Sequence, residues 1–305
     1  MHTVSPLSDF RQRAKGSLHV KGPTHSFLGE VLGQPSFTLE GVPSGGNCPF
    51  MATFFRKWPP LPKAGVGCRK SSTGCTCSLH RTPYGPQEPR LQAGTLVCIC
   101  PKRFLEEGLV EDVMRECWGA DSFENIRVVL EPKLGSAGNV DLVICRLSAD
   151  GSDIQDFLSI ELQSVDITGS YQQILTEARG ASLHDSRVPY GFNTKNVYKR
   201  LVPQLIQKGF IHQAWGKRIV AVVQDFILED LAKRSGGAIP ETTKTSANLV
   251  FLPYSFAVAG DGYKLQRGDP VYTAHNLLAN LLYQTPMPSR DEFEEVLLKK
   301  ILESS

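Results

Sequence analysis

The chain has 305 residues, 41% of them hydrophobic and 21% charged, with a formal net charge of +2. That is enough apolar material for one large domain or two small ones, and it excludes a disordered or fibrous chain. No apolar run is long enough to span a bilayer, and the N-terminus lacks signal-peptide order, so no membrane partner and an intracellular location are expected.

The charge is uneven. Residues 1–105 hold 13 Lys or Arg against 4 Asp or Glu, leaving 20 against 27 in the remainder. A basic N-terminal third suits a polyanion-binding face as well as it suits a solvated surface. Six of the eight cysteines (Cys48, Cys68, Cys75, Cys77, Cys98 and Cys100) fall within 53 residues. In an intracellular chain that pattern points to a metal site before a disulfide framework. Cys117 and Cys145 sit inside apolar runs and read as buried thiols.

In chain order, residues 1–47 are rich in Gly, Pro, Ser and His and read as an arm. Residues 48–100 carry the cysteines between Pro and Gly clusters, which predicts a small loop-rich metal-binding module. From 101 to 305 the pattern becomes α/β. Phe104 to Cys117 has helical spacing, and Ile126–Leu130, Val140–Leu147, Phe157–Leu162, Ile219–Val223 and Leu249–Leu252 read as buried strands. Helical patterns cover Tyr171–Ala178, Val197–Lys208 and Phe226–Lys233, with Pro203 predicting a kink or boundary in the second. Ser289 and Glu292 form a capping-box pattern for a last helix through Leu302. Strands alternating with helices predict a mixed central sheet flanked by helices.

Two carboxylates stand in strands that should be buried. Asp141 opens one run, and Glu161 lies in Phe157-Leu158-Ser159-Ile160-Glu161-Leu162-Gln163. Alternation sends Leu158, Ile160 and Leu162 to one face and Ser159, Glu161 and Gln163 to the other. Buried carboxylates are costly unless paired or bound to a cation. An Asp and a Glu on neighbouring strands suit one hard cation, which polarises a scissile phosphate and activates water. An acidic residue, a gap of 20, then Glu-x-Lys or a variant is the pattern of the PD-(D/E)xK nucleases. Here Gln163 stands in the Lys place. Gln has no useful pKa, so it orients water only through hydrogen bonds.

The longer string Ile160-Glu161-Leu162-Gln163-Ser164-Val165-Asp166-Ile167-Thr168-Gly169-Ser170-Tyr171 resembles the active-site segment of the NotI and EagI family of restriction endonucleases. Asn193-Thr194-Lys195-Asn196-Val197-Tyr198-Lys199-Arg200 resembles a second block of that family. Asn47-Cys48-Pro49-Phe50 and Cys100-Pro101-Lys102-Arg103 resemble the blocks flanking its metal-binding module.

The resemblance implies a PD-(D/E)xK catalytic domain and a type II restriction endonuclease. Asp141 and Glu161 would be Mg²⁺ ligands, with Gln163 beside them. Glu131 is either an additional acidic residue of the site or a strand-end surface charge. It further implies a structural iron, or zinc on spacing alone, held by Cys48, Cys68, Cys77 and Cys100, with Cys75 and Cys98 as alternatives. His80 reads as a surface histidine before a ligand. The DNA-contacting candidates are Arg56, Lys57, Arg69, Lys70, Arg81, Lys102, Arg103, Lys195, Lys199 and Arg200. The implied substrate is double-stranded DNA with a GGCC-containing palindrome of six base pairs. A palindrome cut on both strands calls for a homodimer. A companion DNA methyltransferase and a bacterial cytoplasmic location complete what the resemblance implies. The rival readings are a repair or structure-selective nuclease of the same superfamily, and a non-catalytic metal-stapled DNA-binding protein.

Overall fold

A computed structural model describes residues 28–35, 46–59, 65–68, 75–81, 96–106, 108–119, 124–169, 190–234, 236–283 and 289–303. In chain order the elements are β1 (Leu28–Val31), β2 (Gln34–Pro35), α1 (Pro49–Lys57), β3 (Thr76–His80), β4 (Leu96–Cys98), α2 (Leu109–Trp118), β5 (Ile126–Leu130), β6 (Leu142–Leu147), β7 (Ile154–Gln163), β8 (Ile167–Gly169), β9 (Tyr190–Phe192), α3 (Thr194–Ala214), β10 (Arg218–Gln224), α4 (Asp225–Arg234), β11 (Leu249–Ala259), β12 (Gly262–Arg267), β13 (Val271–Thr273), α5 (His275–Tyr283) and α6 (Arg290–Glu303).

The central sheet has seven strands in the order β12-β11-β10-β7-β6-β5, with β13 also on β11. β5, β6 and β7 pair antiparallel, and β7, β10 and β11 run parallel. The sheet is therefore mixed, as the alternation of strand and helix patterns predicts. Each face carries its own apolar cluster. Leu142, Ile144, Leu158, Ile160, Leu162, Val220 and Val222 point to the face covered by α1 and α2. Ile219, Ala221, Val223, Leu249 and Phe251 point to the opposite face, under α3 and α4. The polar residues of β7 share that second face.

The described part of the N-terminal third carries short strands. β1 and β2 lie within residues 1–47 and join β3 and β4 in a four-stranded sheet of order β2-β1-β3-β4. Its residues enter the main core: Leu28, Val31, Leu79, Val97 and Ile99 pack with the α3 side, and Met51, Phe54, Leu96 and Cys98 with the other. The Gln224 side chain, at the end of β10, accepts from the Cys98 N–H at 2.9 Å and donates to the Leu96 carbonyl at 2.7 Å. Short buried strands bounded by Gly and Pro leave little periodicity to read, which is why this segment looks like loop in sequence.

α3 runs unbroken through Pro203 from Thr194 to Ala214, past the predicted boundary. Asn193 caps it by accepting from the Asn196 N–H at 3.0 Å. A Cβ on Gly209 would meet the His275 Cβ at 2.8 Å, so glycine lets α3 approach α5 closely there. The capping box is reciprocal as predicted: the Ser289 N–H donates to Glu292 at 2.7 Å and the Glu292 N–H to Ser289 Oγ at 3.2 Å. The predicted helix at 171–178 lies outside the described residues.

His80, expected at the surface, is buried in β3. Burial pushes its pKa down to about 4. An unfolded histidine protonates near 6.5, so between these values the unfolded chain binds the extra proton and stability falls as pH falls. At pH 5 the loss from this one group is about 2 kcal/mol. Urea midpoints at pH 7.5 and pH 5 should show a smaller drop for His80→Gln than for the wild type.

Candidate active site

β7 supplies one side of the site. Its register places Leu142 opposite Ile160, so one further antiparallel step sets Asp141 opposite Glu161. Opposed residues of an antiparallel pair project to the same face. The two carboxylates predicted from sequence are thus brought together. The Leu162 N–H donates to Asp141 Oδ2 at 2.8 Å. The Lys208 ammonium donates to Glu161 Oε1 at 2.6 Å. Among the described residues, neither Asp141 Oδ1 nor Glu161 Oε2 has a hydrogen-bond partner. Each carboxylate is held by one oxygen and presents the other.

Burial raises the Asp141 carboxyl, while the Leu162 N–H, Lys102 and Lys208 pull it back. Burial likewise pushes Glu161 up to about 7, against the pull of Lys208. In both, loss of solvation outweighs the compensation that the nearby lysines supply, the condition that favours a bound cation.

Lys208 was not among the residues singled out in the sequence. It comes from α3, 47 positions beyond Glu161, and only 3% of its side chain is exposed. It also donates to the Asn139 carbonyl at 2.6 Å, two residues before Asp141. The available signal was a lysine on the apolar side of an amphipathic pattern, between Leu205 and His212.

Gln163 is half-buried and donates its amide nitrogen to the Ser164 carbonyl at 2.6 Å, leaving its side-chain oxygen as an acceptor. Glu131 is next to the pair through backbone, its N–H donating to the Asp141 carbonyl at 3.1 Å. Its φ of 51° is left-handed, a strained conformation for a residue with a side chain. Its carboxylate pairs with Lys102 at 3.3 Å and is partly exposed.

Among the described residues, no three His, Cys, Asp or Glu side chains lie close enough to hold one ion between them. For Mg²⁺ this is no obstacle, because that ion is commonly held by one or two carboxylates with substrate phosphate and water completing the shell. The two open carboxylate oxygens fit it.

The cysteines fit less well. Cys48 and Cys77 are buried, and burial raises both thiols; the Cys48 thiol is in electrostatic reach of Cys100 and Cys68, and the Cys77 thiol of Cys100 and Cys48. The four are neighbours without converging on one point. Cys77 Sγ donates to the Cys75 carbonyl and Cys98 Sγ to the Cys100 carbonyl.

The basic candidates divide. Lys195, Lys199 and Arg200 are exposed on the first half of α3. Arg200 and Asn196 both reach Asp166, at 3.3 and 2.6 Å. Arg56 and Lys57 are exposed at the end of α1, and Lys57 pairs with Glu111. Arg81 is half-buried with its guanidinium 5.4 Å from the centre of the Phe226 ring. Arg103 corrects the expectation. It is fully buried, paired with Glu30 at 3.0 Å, stacked on Phe50 and Phe256, and donating to the Tyr263 carbonyl, which leaves it no surface for DNA. Arg69 and Lys70 lie outside the described residues. No helix of the described residues is long and apolar enough to cross a membrane.

Paired strand carboxylates with open oxygens are what phosphodiester hydrolysis by a metal-assisted route requires. The family model of restriction endonuclease NotI matches residues 60–265, more than half of the chain. The chain belongs to the NotI restriction endonuclease family. It is therefore a site-specific nuclease of the type II class whose substrate is double-stranded DNA, in a group that typically uses Mg²⁺. No curated protein matches the chain.

Proposed function

We propose that the chain cuts double-stranded DNA at a GC-rich palindrome through a Mg²⁺-dependent site built on a PD-(D/E)xK core. The observation that carries this reading is the pairing of Asp141 and Glu161 across β6 and β7, each fixed by one oxygen and open at the other. When bound there, Mg²⁺ supplies charge to the scissile phosphate and acidifies water. The residues do the rest. Asp141 and Glu161 hold the ion. The Gln163 side-chain oxygen accepts a hydrogen bond from the attacking water and orients it. Glu131, held beside Asp141 by backbone, adds acidic charge at the rim.

The finer features are also proposals. Cys48, Cys68, Cys77 and Cys100 would hold a structural iron or zinc once drawn together; their mutual proximity supports this set. No step of the reaction depends on it. Lys102, Lys195, Lys199 and Arg200 would neutralise phosphates, with Arg69 and Lys70 as further candidates. The resemblance to NotI and EagI supports a six-base-pair site containing GGCC.

A homodimer supplies the two active sites that a palindrome needs. α6 supports a surface for the second copy. None of its residues is buried, and Phe293, Leu297 and Ile301 recur at one-turn spacing with all three exposed. An antiparallel copy centred on Leu297 would set the acidic half, with Glu294 and Glu295, against the basic half, with Lys299 and Lys300. Leu297→Asp with Ile301→Asp should turn a dimer into a monomer by light scattering and leave far-UV dichroism nearly unchanged. A dimer that survives the pair of substitutions places the interface elsewhere.

The experiment for the function is a plasmid digest with Mg²⁺ followed by sequencing of the ends. Discrete fragments with one shared end sequence support the proposal. Cleavage confined to branched or mismatched DNA favours a structure-selective nuclease instead.

A further inference from the structure

α3 meets β7 through two polar contacts in register. Lys208 donates to Glu161 at 2.6 Å, and one turn later His212 Nε2 lies 2.7 Å from Ser159 Oγ. Four helical residues advance about 6 Å and two strand residues about 6.6 Å, so the rungs match when helix and strand run in opposite senses. His212 Nδ1 is also 2.7 Å from the Lys208 carbonyl, and Asn248 donates to the Gly209 carbonyl at 2.7 Å. Lys208 is thus fixed by its own turn, by the next, and by the close approach at Gly209.

The ammonium joins two separate segments. It holds Glu161 on β7 and the Asn139 carbonyl in the segment leading to Asp141. Those two segments carry the two carboxylates. A buried lysine costs the fold unless its charge is answered, and among the described residues it is answered by Glu161, the Asn139 carbonyl and the nearby Asp141.

We propose that Lys208 is a positioning residue of the cleavage site, setting the distance between the Glu161 and Asp141 arms and supplying from α3 the positive charge that β7 lacks at Gln163. This rests on the reading of Asp141 and Glu161 as the site. By leaving Glu161 Oε2 and Asp141 Oδ1 uncommitted, Lys208 shapes the pair for a cation without occupying the open oxygens.

The test uses the full chain and its cognate DNA. Lys208→Met keeps the volume and removes both hydrogen bonds and charge. Lys208→Arg keeps the charge with a different reach, and provides a folded comparison should the Met variant be unstable. Both are measured for unfolding midpoint, for DNA affinity in Ca²⁺ without cleavage, and for kcat and KM across Mg²⁺ concentration. Loss of an outer partner of a metal ligand typically costs about 10- to 100-fold in activity or metal affinity. The expected result is a drop of that size in kcat and a rise in the Mg²⁺ needed for half-maximal rate, at unchanged KM and near-unchanged DNA affinity. Gln163→Lys added to Lys208→Met should recover part of the lost kcat.

Wild-type kcat in Lys208→Met overturns the proposal. So does a loss that tracks the unfolded fraction alone with no recovery by Gln163→Lys. If Asp141→Asn and Glu161→Gln remain active, the site reading itself fails. If they are inactive while Lys208→Met is not, only the role of Lys208 fails.

Discussion

Asp141→Asn and Glu161→Gln should each lower cleavage by about 1000-fold or more, equivalent to roughly 4 kcal/mol of transition-state stabilisation. Each change keeps the shape of the side chain and removes the charge that a divalent cation needs. Asp141→Asn should fold as the wild type does, while Glu161→Gln leaves the buried Lys208 charge less answered, so its unfolding midpoint is measured beside its activity. Asp141 keeps an acceptor for the Leu162 N–H, and Glu161 keeps an oxygen for Lys208. Binding to DNA in Ca²⁺ should weaken far less than cleavage, because most affinity comes from phosphate contacts elsewhere. The measurement is single-turnover cleavage of a plasmid beside a filter-binding or anisotropy titration. Equal loss of binding and cleavage would mean that the carboxylates shape the fold rather than the chemistry. The double variant should be little worse than either single one, since residues acting as one unit are not additive.

The second large effect is on stability. Arg103 and Glu30 are both fully buried, with Ser78 Oγ donating to Glu30 at 3.0 Å and the guanidinium also reaching Glu106 at 3.1 Å. Burial raises the Glu30 carboxyl in spite of Arg103 beside it. Arg103→Ala should cost about 3–5 kcal/mol, because it strands a carboxylate in the core. Arg103→Met with Glu30→Leu should be less destabilised than Arg103→Ala, since no unpaired charge remains. Urea unfolding of the three variants checks this. Wild-type stability in Arg103→Ala, joined to a loss of DNA affinity, would return Arg103 to the surface-contact role that its neighbourhood in sequence suggests.

Asp141, Glu161 and the facing of β7 were legible because strand alternation has a period of two and needs no tertiary information. Leu158, Ile160 and Leu162 do share one face, and Glu161 and Ser159 the other. The runs at 126–130 and 219–223 correspond closely to β5 and β10 because short apolar, β-branched runs mark buried strands. Arg103 was misplaced because nothing local separates a cation on a surface from one paired with a glutamate 73 positions earlier. Lys208 was missed by the same mechanism: its partner is reached only after a long helix folds back over the sheet. Pro203 sits inside α3 without ending it, where packing of Leu201, Val202 and Leu205 outweighs one lost backbone hydrogen bond. The strands β1 to β4 escaped notice because they are two to five residues long and their apolar partners lie in distant segments.

The two blocks that resemble the NotI family meet in space for a structural reason. Asp166, from the first, accepts from Asn196 and Arg200 of the second, and its carbonyl accepts from the Asn193 N–H at 2.8 Å. The start of α3 is thereby tied to the end of the active-site strand, and Lys208 rides on the same helix.

The most direct test of the central claim is a crystal structure of the protein with cognate DNA and Ca²⁺, which supports binding while slowing cleavage. The account predicts a cation on the open oxygens of Asp141 and Glu161, in contact with the scissile phosphate, with Lys208 still on the other oxygen of Glu161. A scissile phosphate lying away from Asp141 and Glu161, with no cation between them, would contradict it.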